Sequence, residues 1–238
     1  MKPIVVHFYT WREDVYEGAK PKPGGNVLPD WFHQLEGYSP HDKKALKNSE
    51  ATLNVRTCPG IVGALTHSVV VPMWCDFRLT TNGENCLYQY ADEISNATFH
   101  NPAHLRGFYD VDKVQHIKLS APWLVKCDED IKWLMSDCVW HRDNHTEYTL
   151  PPGVVNLKHT REMHLNLFFH KSRDEERFLI EYQQPIVQYV PLNERPVQVR
   201  THLVNHQDYI NAQTSKPQRL SFLGGYEKLL SGVKSKWS

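Results

Sequence analysis

The stretch REMHLNLFFHK, residues 161–171, decides the fold class. Met163, Leu165, Leu167 and Phe169 fall on one side of an extended chain, and His164, Asn166, Phe168 and His170 on the other. Successive side chains of a strand alternate between faces, so this is a strand with one apolar and one polar side. Such a strand belongs to a sheet that packs one face on a core. The same reading extends outward. Residues 1–10 set Ile4, Val6 and Phe8 against Val5, His7 and Tyr9. VQHIKLSAPWLVKC (114–127) and DIKWLMSDCVWH (130–141) are strands, the second with Ile131, Trp133 and Met135 opposite Lys132, Leu134 and Ser136. RFLIEYQQPIVQYVPL (177–192) is a strand pair broken near Pro185, and VQVRTHLV (197–204) a last strand. HSVVVPMWCDFRLT (67–80) is β-branched and aromatic, with Pro72 marking an edge or a bulge. Asn82-Gly83 is a hairpin turn into NCLYQYA (85–91).

Helical signals are short and lie towards the ends. Asp30 is placed to cap WFHQLEG (31–37), which Gly37 closes. SPHDKKALKNSE (39–50) has room for a helical turn, and CPGIVGAL (58–65) for a short helix with Pro59 in its first turn. The tail GGYEKLLSGVKSKWS (224–238) reads as a glycine turn and a basic helix that packs Leu229 and Leu230 inward. Strands do not alternate with long helices, which excludes a doubly wound parallel sheet. The expected fold is mainly β: an antiparallel sandwich or jelly-roll-like barrel with short peripheral helices. It forms a single domain over 1–238, with 205–238 as a C-terminal helical tail.

Composition narrows the setting. Lys+Arg and Asp+Glu balance at 27 each, so no global field favours nucleic acid or an anionic membrane. The N-terminal apolar stretch is too short for a signal peptide. Cys58, Cys75, Cys86, Cys127 and Cys138 are odd in number and widely spaced, which fits reduced thiols rather than a disulfide framework. The sequons at Asn96 and Asn144 then read as chance matches. The expected location is the cytoplasm of an infected host cell, or a virion.

That location follows from a resemblance. VLPDWFHQLEG (27–37), TCPGIVGALTHSVVVPMWCDFRL (57–79), SAPWLVKCDEDIKWLMSD (120–137), PPGVVNLKHTREMHLNLFFHK (151–171) and QQPIVQYVPLNERPV (183–197) follow one another in this order. The set resembles a family of uncharacterised marine tailed-phage proteins, cyanophage proteins among them. It is also similar to a bacterial domain of unknown function with a PW…PPG…P-x-x-Q-x-x-P layout. The resemblance covers roughly residues 25–200 and implies a β-rich fold; it carries over no catalytic residue. The family has a glycine and tyrosine where this chain has Thr66-His67-Ser68.

Two constellations bear chemistry. His141-Arg142-Asp143 is an H-x-D pair. With a distal histidine, His206, it forms the ligand set of a non-haem Fe(II) facial triad. Arg219 and Ser221 are then placed to grip the carboxylate of 2-oxoglutarate, a task suited to the guanidinium fork. The competing reading is a polar loop between two strands, and the phage family does not carry H-x-D at this position. The second constellation is the polar side of residues 161–171. Its histidines and amide line a concave ligand site or form the wet face of a sheet. With Asp76, His100, His104 and Trp123, the residues His164, Asn166 and His170 make the expected ligand-binding set. Its partner is a small molecule, a saccharide or a protein, not a membrane or nucleic acid. Cys58, before Pro59, is a nucleophile at a helix start or, more simply, a buried turn residue. Trp31, Phe32, Trp74, Trp123, Trp133 and Trp140 could stack on sugars or bases, and read more simply as core and rim. The leading expectation is a ligand- or partner-binding accessory phage protein. An Fe(II)/2-oxoglutarate oxygenase and a virion structural protein forming a symmetric oligomer are the alternatives.

Overall fold

The computed structural model describes residues 1–35, 54–82, 85–101, 103, 107, 110, 113–142, 148–171 and 176–214. The chain opens with β1 (Ile4–Thr10), helix α1 (Glu13–Gly18), the short β2 (Lys22–Pro23), and helices α2 (Asp30–Gln34) and α3 (Pro59–Thr66). Strands β3 (Val69–Pro72), β4 (Phe77–Thr81), β5 (Cys86–Tyr90) and β6 (Asn96–Phe99) follow, then the long β7 (Val114–Cys127). Next come β8 (Lys132–Asp137), β9 (Tyr148–Thr149), β10 (Gly153–Asn156), β11 (Glu162–His170) and β12 (Glu176–Ile180). The described chain closes with β13 (Pro185–Pro191), β14 (Val197–Leu203) and helix α4 (His206–Thr214).

Among the described residues the strands form three sheets and none closes into a barrel, as in a β-sandwich. The six-stranded sheet runs β14-β1-β7-β11-β9, with β6 also paired to β7. The five-stranded sheet runs β10-β8-β13-β3-β2, and the three-stranded sheet β12-β4-β5. Among the described residues all pairings are antiparallel except β1 with β14, which is parallel.

Alternation builds the core directly. Ile4, Val6 and Phe8 of β1, Ile117, Leu119 and Trp123 of β7, and Leu165, Leu167 and Phe169 of β11 are all fully buried. Val69 and Val71 of β3, Trp133 of β8, and Val187 and Tyr189 of β13 join them from the five-stranded sheet. Phe8 meets Trp123 edge-on, with ring centroids 6.3 Å apart at 89°. That is the geometry the aromatic quadrupole favours.

Local expectations fare unevenly. β7, β11 and the β4–β5 hairpin lie where alternation puts them. Helix α3 starts at Pro59, whose missing N–H costs nothing at the first helical position. Asp30 is inside α2 rather than at its cap, because Pro29 takes the capping place with extended backbone. Residues 67–80 are not one strand. β3 and β4 belong to different sheets, and the chain between Pro72 and Phe77 passes from one to the other. The expected turn over 39–50, the Gly37 stop and the helix over 224–238 lie outside the described residues.

Candidate functional site on the outward face of the six-stranded sheet

With the apolar side of β7 and β11 committed to the core, their polar sides form one face. Register aligns them in rows: His116 lies opposite Phe168, Lys118 opposite Asn166, and Ser120 opposite His164. On its other edge β7 pairs with β6, which adds Thr98 beside Lys118 and Asn96 beside Ser120. His100 follows β6, and its backbone N–H donates to the His116 carbonyl at 3.0 Å. The rings of His100 and His116 stack at 4.1 Å and 11°. A ring nitrogen of His116, Nε2, is 3.0 Å from Asn166 Oδ1 and so carries the proton it donates there. Phe168 sits edge-on to His116 at 4.8 Å.

Helix α4 crosses this face farther along β7. Gln213 Nε2 donates to Glu162 Oε1 at 2.6 Å, and Arg161 Nη1 to the Ala212 carbonyl at 3.2 Å. Glu162 aligns with Leu124 and Tyr9 across the sheet. Leu124 is buried although it points outward, and so is Tyr209 of α4. His164 Nε2 lies 3.2 Å from Glu162 Oε2. That bond, with the one from Gln213, holds the Glu162 carboxyl below its ordinary range against the opposing effect of burial.

Beyond α4, β1 and β14 carry a second histidine pair. His7 Nδ1 and His202 Nε2 are 2.9 Å apart, the ring centroids 5.1 Å, and the planes 19° from parallel. Those values describe nearly coplanar rings joined edge to edge by one N–H···N bond. Tyr9 stacks on His202 at 4.7 Å. Burial, and then His202, Arg200 and Lys126, hold His7 below the ordinary histidine value; Asp128 opposes them.

The expected site residues therefore divide. His100, His164 and Asn166 share the face, with His170 at the exposed end of β11. Trp123 points the other way and is fully buried in the core. Asp76 precedes β4, where its carboxylate accepts from the Tyr182 backbone N–H at 2.7 Å and ties the β12–β13 turn. His104 and Arg219 lie outside the described residues. Sequence reading missed His116, although VQHIKLS alternates clearly enough to place it on a polar side. It also missed His7, whose pairing with His202 depends on the parallel β1–β14 register. Cys58 is exposed at the start of α3, contrary to the expected buried position, since the chain there turns outward from the sheet.

Of the proposed iron ligands, His141 and His206 lie on separate elements. His141 is not at a strand end: β8 stops at Asp137, and Val139–His141 form a 3-10 turn. The same-side rule for residues i and i+2 of a strand does not apply there. His141 Nε2 donates to the Val27 carbonyl at 2.9 Å, leaving Nδ1 as the lone-pair nitrogen. His206 begins α4 and packs against Trp11 at 4.5 Å. Asp143 lies outside the described residues. Among the described residues no group of three or more His, Cys, Asp or Glu side chains is placed to hold a metal.

The chain matches no family model and no curated protein. No helix among the described residues is long and apolar enough to cross a membrane.

Burial lowers the His141 pKa from its ordinary 6.5, against the opposing bond to Val27. The unfolded chain then binds the proton more readily than the folded one. The stability contributed by the neutral ring is full above about pH 6.5 and falls as pH drops through that value towards the lower folded pKa. Urea unfolding between pH 7.5 and 5 should show stability falling with acid, and His141→Gln should flatten that slope. An unchanged slope in the variant sinks this assignment.

Proposed function

We propose that the protein is a ligand-binding β-sandwich that holds a polar, hydroxylated small molecule of the saccharide class on the outward face of its six-stranded sheet. The observation that supports this is the gathering of His100, His116, Lys118, Asn166 and His164 in adjacent rows on that face. Core packing requires none of them. Imidazoles and an amide offer ring nitrogens, an amide N–H and an amide oxygen side by side, as a sugar hydroxyl requires. Lys118 adds a charged donor without making the face strongly cationic. The histidine rings also present flat faces on which a sugar ring can rest. The resemblance to marine tailed-phage proteins supports an accessory role for the phage, in the infected cell or in the particle.

The test is titration calorimetry of the full chain against a panel of mono- and oligosaccharides, repeated with His116→Ala and Asn166→Ala. Each variant should weaken the best ligand about tenfold or more, since each strips a hydrogen-bonding partner from the site. Gln89→Ala, on the three-stranded sheet, should leave it unchanged. Binding that survives both face variants, or no saccharide binding at all, overturns the proposal.

A further inference from the structure

The His7–His202 pair stands among cations. Register places Arg200 of β14, His7 of β1 and Lys126 of β7 in one row across three adjacent strands, on the outward side of the sheet. The next row sets His202 beside Tyr9. Arg200 is exposed and makes no ion pair or hydrogen bond among the described residues. Lys126 pairs with Asp128 at 2.7 Å, but the side chains are 42% and 71% exposed, and exposed pairs are held weakly. Lys158 acts on Asp128 as well. Arg200 and Lys126 both oppose protonation of His7, and together they outweigh Asp128. Of the acids on α4 and β11, Asp208 is bonded to Asn205, and Glu162 to Gln213 and His164. In a chain whose charges balance, this end of the sheet therefore carries a positive local field.

The histidine bond decides how the pair meets a ligand. Two neutral imidazoles hold two ring protons between them. One lies in the bond between His7 Nδ1 and His202 Nε2, 2.9 Å apart. The other sits on one of the outer nitrogens, His7 Nε2 or His202 Nδ1, whichever way the bond is directed. The remaining outer nitrogen is a bare lone pair, which repels an anion. One added proton makes both outer nitrogens donors and gives the pair a positive charge, with the inner bond kept. Both rings are only half-buried, and their outer nitrogens are open to solvent.

We infer that this row binds a tetrahedral dianion, inorganic phosphate or the phosphate group of a monoester, and takes up one proton as it does so. Arg200 offers its fork to two oxygens, Lys126 a point charge released from Asp128, and the protonated histidine pair its outer N–H groups. Two fixed cations and one acquired charge suit a dianion. A carboxylate, with a single charge, gains less. The row lies beyond α4 from the saccharide rows, so either site can fail without the other.

NMR titration of the full chain with sulfate, at constant ionic strength made up with chloride, tests the inference. Sulfate keeps both charges through neutral pH, so any pH dependence belongs to the protein. His7 titrates below its ordinary 6.5, so the free pair is neutral at pH 7 and above. Uptake of one proton then makes sulfate affinity fall about tenfold from pH 7 to pH 8. At pH 7 sulfate should bind about tenfold more tightly than acetate, and Arg200→Gln should weaken it by a similar factor. His7→Gln should reduce the pH effect below about twofold, which a residue that merely packs would not do. Of inorganic phosphate and glucose 6-phosphate, the tighter ligand identifies a free ion or an ester as the natural form. The inference is overturned if sulfate shows no saturable binding above chloride, if neither phosphate binds, or if folded Arg200→Gln binds sulfate unchanged. It is equally overturned if the native chain lacks the pH dependence or folded His7→Gln keeps it.

Discussion

Trp123→Ala should destabilise the protein by about 3–5 kcal/mol, the range for removing a large aromatic side chain from a packed core. The indole is fully buried on the inward side of β7, edge-on to Phe8 of the neighbouring strand. Truncation leaves a cavity bounded by sheet backbone, which cannot collapse without breaking its own ladders. Trp123→Phe keeps most of the apolar volume and removes a buried indole N–H that has no hydrogen-bond partner among the described residues, so it should cost less. Urea denaturation measures both losses. Saccharide titration of Trp123→Phe adds a further check: affinity should match the native chain, because the residue faces away from the histidine rows. A loss below 1 kcal/mol for the alanine variant places the indole outside the load of the core.

Asp137→Ala should cost a similar amount, about 3–5 kcal/mol, for a different reason. Asp137 and Arg142 form a buried ion pair, with side chains only 8% and 3% exposed. The guanidinium also donates to the Tyr148 carbonyl at 3.3 Å and lies over the Tyr148 ring, 4.0 Å from its centroid. Together these contacts fasten the end of β8 to β9. Removing the carboxylate leaves a guanidinium that can neither lose its charge nor reach water. Replacing both partners should be much milder: Asp137→Leu with Arg142→Leu removes the buried charge along with its partner, and such exchanges are often neutral or stabilising. A double-mutant cycle by chemical denaturation reads the coupling directly. If the double variant loses the sum of the two single losses, the pair is not coupled as the geometry implies.

These two sites show how far alternation carries a reading. Residues 161–171 and 114–127 place nearly every side chain on its correct side, because the period of a strand is a property of the local backbone. The β4–β5 pairing runs up to Thr81 opposite Cys86, next to Asn82; Gly83 of the expected turn lies outside the described residues. Residue type alone leaves Trp123 open between a ligand site and the core; counting from Ile117 and Leu119 puts it on their side, where it is buried. His141 was read as continuing a strand that ends at Asp137, and no local pattern marks that end. The Asp137–Arg142 pair was missed because two charged residues five apart look like any polar loop until burial is known.

What the sequence by itself determined is the class of fold, the strands of the two long polar faces and the two-sidedness of each, since these follow from residue-by-residue patterning. What only the tertiary structure decided is which faces meet. The His100–His116 stack joins the residue after β6 to β7, and the His7–His202 bond joins residues 195 apart in the chain. Strand pairing and helix docking are non-local choices, fixed by burial of the whole core, and no short stretch of sequence encodes them.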